Sequence, residues 1–83
     1  MQFRALFFNG IRIDIAGQYS QRLDGSLVLQ LDKMMPSTEL RRLISEGISY
    51  LWLGKPGGEQ WEVHKGPFCL YERFGLLILS PNK

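Results

Sequence analysis

His64 is the only histidine in the chain, and Cys69, five residues on, is the only cysteine. A histidine within reach of a thiol can take its proton and leave a thiolate nucleophile. Gly66-Pro67, between them, could fold one toward the other. The neighbours favour a plainer role. Cys69 alternates with Phe68 and Leu70, and free cysteine in an apolar strand behaves as a small buried hydrophobe. A structural zinc site needs four ligands, commonly at paired short spacings, which one histidine and one cysteine do not supply. Glu62 and His64, at i and i+2, would share a strand face and could assist a metal. The simpler reading is an exposed polar face opposite Trp61 and Val63. No catalytic residue, metal or cofactor is assigned, and His64 carries the one enzymatic alternative, a small hydrolase or toxin-like nuclease.

Binding chemistry has more candidates. The loop Gly54-Lys55-Pro56-Gly57-Gly58-Glu59 offers backbone N–H groups and a cation. It lacks the Gly-x-x-x-x-Gly-Lys-Ser/Thr pattern, and no helix follows to receive a phosphate. A flexible connection is the expectation. Trp52 and Trp61 flank that loop, and with Lys55, Lys65 and Arg73 they could form a stacking platform for single-stranded nucleic acid. Both rings would serve equally as core. Arg41 and Arg42 interleave with Glu39 and Glu46 and read as a solvated helix face.

These groups are to be positioned by a single domain, residues 1–83. A chain of 83 residues buries about 60% of its unfolded surface. Its hydrophobic content of 45% is that of a globular domain. Ten Lys and Arg against eight Asp and Glu give a net charge of +2, with the cations dispersed along the sequence. Dispersal argues against a dedicated nucleic-acid face unless the fold gathers them. A lone cysteine forms no intramolecular disulfide. Met1-Gln2-Phe3-Arg4 lacks the pattern of a signal peptide, and no apolar run approaches the ~20 residues of a membrane helix. A cytoplasmic protein without membrane contact is the default expectation.

Turn signals set the architecture. Asn9-Gly10 predicts a two-residue type I′ hairpin loop pairing Phe8 with Ile11 and Leu6 with Ile13. The second strand continues through Gly17 to about Arg22. Leu23-Asp24-Gly25 then predicts a three-residue loop that sets Tyr19 opposite Leu29 and Gln21 opposite Leu27. Both registers select one buried face: Leu6, Phe8, Ile11, Ile13, Ile15, Tyr19, Leu27 and Leu29. Ser37 reads as an N-cap and Gly47 as the end of a helix whose Leu40, Leu43 and Ile44 face the core. Four strands follow, over residues 48–53, 60–64, 68–72 and 76–80. Arg73-Phe74-Gly75 reads as a glycine-bulge turn pairing Leu70 with Ile78 and Tyr71 with Leu77. The last hairpin is apolar on both sides and is expected to be covered on both. The fold class is α+β and β-rich: an antiparallel meander, one short helix and about four more strands, in a rolled sheet or partly open small barrel.

Period two places Phe3, Ala5, Phe7, Ala16 and Val28 on the other side of the meander, among Arg12, Asp14 and Gln18. Phenylalanines ringed by charge resemble an interface anchor with a polar rim; the equal alternative is that the C-terminal strands or the helix cover this face. The preferred expectation is therefore a non-enzymatic adaptor or inhibitor module. It would dock a protein partner, or a second copy of itself, through a sheet face or edge, using Phe3, Phe7, Arg12 and Val28. The nucleic-acid module is the first alternative.

Overall fold

The computed structural model describes residues 1–57 and 60–81. Its strands are β1 (Gln2–Phe3), β2 (Ala5–Phe8), β3 (Ile11–Ile13), β4 (Gly17–Gln21) and β5 (Leu27–Leu31). Helix α1 (Ser37–Glu46) follows, then β6 (Ile48–Gly54), β7 (Trp61–Arg73) and β8 (Leu76–Pro81). Among the described residues all eight strands join one antiparallel sheet, ordered β1-β4-β5-β8-β7-β6-β2-β3. Only Arg4 separates β1 from β2, and only Asp14-Ile15-Ala16 separate β3 from β4, yet these pairs stand at opposite ends of that order. The N-terminal ribbon thus spans the sheet end to end and rolls it. Pairing lapses at Arg4 and across residues 14–16, so the sheet is not closed into a barrel.

The first two turns form as their residues dictate. Asn9 and Gly10 both take positive φ, 51° and 85°, and Phe8 pairs with Ile11, Leu6 with Ile13. Arg22 and Ser26 close the second loop by a backbone bond, with Gly25 at φ 88°. Tyr19 then meets Leu29, and Gln21 meets Leu27. Leu6, Phe8, Leu27, Leu29, Leu51, Leu53 and Leu79 are wholly buried inside the roll. Each such side chain contributes about 1.5–3 kcal/mol by leaving water.

Four expectations need correction. The second strand is not continuous, because the ribbon bends at residues 14–16. Four strands after the helix are three: β7 runs through Gly66-Pro67, and a register shift between Ile48 and Tyr50 absorbs the extra residue. A Cβ on Gly66 would lie 2.4 Å from the Ile48 carbonyl oxygen, so glycine is required at that bulge. The last hairpin is slipped by one residue from its predicted register, with Leu70 opposite Leu79, Tyr71 opposite Ile78 and Arg73 opposite Leu76. Phe74 itself takes φ 52° and makes a two-residue loop with Gly75, a conformation that bulky residues seldom adopt. The slip turns Leu77 and Leu79 inward. The hairpin's outer side is not covered, since Tyr71 stands exposed.

The helix holds two smaller surprises. Its first backbone bond runs from the Leu40 N–H to the Pro36 carbonyl, so Pro36 and not Ser37 occupies the cap position, without a side-chain cap. Leu43 is buried and Leu40 packs against the core, but Ile44 is exposed. Gly47 ends the helix at φ 78° and donates to the Leu43 carbonyl. The Asn9 amide then donates to the Gly47 carbonyl at 3.0 Å, and its oxygen accepts from the Ser49 N–H at 2.7 Å. One turn residue therefore also anchors the start of β6.

Candidate functional site

Residues that are far apart in sequence meet on the outer side of β3, β2, β6 and β7. Arg12 lies opposite Phe7, Phe7 opposite Trp52, Trp52 opposite Val63 and Tyr50 opposite Lys65. Cross-strand partners project to the same side, so these side chains form one surface. Trp61 joins it over Gly54, where a Cβ would lie 3.0 Å from the indole ring. The Phe7 and Trp61 rings are 5.1 Å apart, centre to centre. The Arg12 guanidinium sits over both, 5.7 Å from Phe7 and 6.0 Å from Trp61. Stacking of this kind steadies a surface arginine.

The face is both apolar and wet. Trp52 is 43% exposed, Tyr50 46% and Val63 48%, while Phe7 and Trp61 are half-buried. Two hollows open there. One, of about 280 Å³, is lined by Phe7, Gly10 and Trp52. The other, of about 320 Å³, brings Arg4, Arg12 and Lys55 beside Trp61, with Asp14 as its one carboxylate among the described residues. Asp14 accepts from the Arg12 Nε at 2.7 Å, and among the described residues the terminal guanidinium N–H groups make no hydrogen bond to a side chain. Cations dispersed along the sequence are thus gathered by the fold.

The sequence-derived sets divide differently from their prediction. Phe3 is not on this face: it is 2% exposed, in the core, with its ring 6.2 Å from that of Tyr19. The bend at Arg4 breaks the strand alternation, and Phe3 settles over Gly17, where a Cβ would lie 2.8 Å from its ring. Val28 projects outward between Ser20 and Ile78 on β5, separated from β2 by β8, β7 and β6. Phe7 and Arg12 therefore part from Phe3 and Val28. They join Trp52, Lys55, Trp61 and Lys65 from the nucleic-acid set. Arg73 stays apart, at the far end of β7 in a hollow with Arg22, Asp24 and Tyr71. Of the glycine-rich loop, Gly58 and Glu59 lie outside the described residues.

Glu62 and His64 do not form an exposed polar face. They lie opposite Leu53 and Leu51 and point into the roll, where Tyr19 donates its phenolic proton to Glu62. His64 Nε2 stands 3.0 Å from the same carboxylate oxygen. Burial, then this hydrogen bond, then the Glu62 charge push the Tyr19 phenol up to about 12. The Tyr19 hydrogen bond holds the Glu62 carboxyl below its ordinary 4.5 against the opposing pull of burial, with His64 and Lys55 adding to the effect. Cys69 pairs with Ser80 and projects outward, whereas His64 projects inward, so the bend does not bring thiol and imidazole together. Among the described residues no three metal-ligating side chains cluster, and no helix is long and apolar enough to cross a membrane.

Tyr50, Val63 and Arg4 were missed as members of the face. Alternation from Trp52 and Trp61 would have found the first two. The pairing of β2 with β6 joins residues some forty-five positions apart, and no turn signal announces it. No protein-family model matches the chain, and the comparisons with curated proteins and with solved structures likewise find no match.

Proposed function

We propose that this chain is a non-enzymatic binding module that docks a macromolecule on the outer face of β3, β2, β6 and β7. One observation carries the reading: Trp52 lies 43% exposed between Phe7 and Val63, inside a rim of cations. A contiguous apolar patch with a polar border is the usual form of a recognition surface. Tryptophan and arginine are the residues that most often dominate such contacts. Protein and nucleic-acid partners, expected above on separate residue sets, would use this one surface.

The test is affinity capture from native lysate, wild type against Phe7→Ser/Trp52→Ala, with folding checked by circular dichroism. Captured material is identified by protein stain and by nuclease sensitivity. Selective loss from the variant supports the face, and equal recovery removes it. The hydrolase alternative has one favourable observation, the Glu62–His64 pair, since a carboxylate can orient an imidazole for proton transfer. Against it, Tyr19 is buried and His64 largely covered, which leaves a satisfied polar network as the better account. Activity on labelled RNA that is lost in His64→Ala, with the fold kept, would reinstate it.

A further inference from the structure

We infer that the partner held on this face is single-stranded nucleic acid, with phosphates in the Arg4, Arg12 and Lys55 hollow and bases against Trp52 and Phe7. The inference rests on the docking reading above and adds its chemistry. Two demands meet on one surface. The hollow lined by Phe7, Gly10 and Trp52 presents apolar ring surface to water, which asks for a flat, weakly hydrated group. Among the described residues the adjoining hollow is lined by three cations and one carboxylate, which asks for an anion. The two adjoin across the Phe7–Trp61 pair, with Arg12 stacked over both rings.

A nucleotide supplies both groups on one covalent unit, and a strand repeats them. An acidic peptide would satisfy the cations with carboxylates, but covering Trp52 as well would need a separate apolar side chain at the right spacing. Stacking also selects against a duplex, whose bases are already stacked on one another. Sequence preference is expected to be weak, because every base has a π-face. Lys65, beside exposed Tyr50 on the same side, extends the track beyond the hollows.

The test is binding of a labelled oligothymidylate of about twelve nucleotides, read by anisotropy and tryptophan quenching. A duplex of equal length and polyglutamate serve as comparison probes. With about three phosphates engaged, the slope of log affinity against log salt is expected near −2. Trp52→Ala should weaken binding about ten- to a hundred-fold with the slope unchanged. Lys55→Gln should weaken it and flatten the slope by about 0.7. Duplex and polyglutamate should bind more weakly and ignore Trp52→Ala. No binding of the oligomer, binding indifferent to Trp52, or equal binding of duplex or polyglutamate overturns the inference. If the oligomer fails while Phe7→Ser/Trp52→Ala still loses a captured protein, the nucleic-acid inference falls and the docking face stands. If the capture is also unchanged, both fall.

Discussion

Two clusters of aromatic and charged side chains lie on opposite sides of the same sheet, and they use the same residue types to opposite ends. Inside the roll, Phe3 and Tyr19 pack with their rings tilted at 45°, and Tyr19, Glu62 and His64 satisfy one another. Outside, Phe7, Trp52 and Trp61 leave ring surface in water, with cations around them. Strand β7 feeds both: Trp61, Val63 and Lys65 go outward while Glu62 and His64 go inward. Chemistry alone therefore did not sort the residues. The side of the pleat did, and the inner cluster is packed into the core while the outer one is left in water.

The sharpest division would come from two aromatic truncations. Phe3→Ala removes a ring that is 2% exposed and should cost about 3–5 kcal/mol of stability by denaturant titration. Trp52→Ala removes a larger ring from the outer side, yet should cost only about 1 kcal/mol, with its main effect on binding. Comparable losses from both would mean that the outer rings are structural and the comparison is false.

Next in size is Tyr19→Phe, expected to cost about 1–3 kcal/mol because Glu62 loses the phenol that satisfies it. Its pH signature separates it from simple loss of packing. Folding favours the neutral phenol, so that stabilisation is whole below pH 10 and fades as pH rises through about 12. Folding also favours the ionised Glu62 carboxylate. Its contribution is present above pH 4.5 and is lost as pH falls through the lower value of the folded state. Stability measured against pH should therefore lose its alkaline limb in Tyr19→Phe and show a shallower acid limb. Unchanged limbs would mean that the inner cluster is held by packing alone.

How much of this was legible depended on whether a local signal existed. Asn9-Gly10 and Leu23-Asp24-Gly25 carry their turn type in residue identity, so both registers could be read directly. Phe3 is misplaced by simple alternation, because the strand bends at Arg4 and that bend answers to Gly17 across the sheet. The β2–β6 pairing, which brings Phe7 to Trp52, is non-local and unmarked. Each half of the face was thus visible and its union was not. Glu62 and His64 read as solvent-facing for a related reason: polar residues suggest solvent until a partner such as Tyr19 is known.

The smallest effect tests whether exposure alone identifies a functional ring. Phe74 is 96% exposed, far more than Trp52, but it stands at the tip of the β7–β8 turn, away from the cationic hollow. Its φ of 52° is a left-handed conformation that suits asparagine or glycine at the first position of a type I′ loop. In a sequence that left the turn to local preference, Asn-Gly would occur there, as it does at residues 9 and 10. Phe74→Asn should therefore stabilise the chain by about 0.5 kcal/mol, since it relieves backbone strain and gives up almost no burial. In a domain of this size that corresponds to a rise of about 2–4 °C in Tm. Binding on the outer face should be unaltered. A fall in oligonucleotide affinity in Phe74→Asn equal to that in Trp52→Ala would show that exposure, and not the meeting of rings with cations, is what the partner reads.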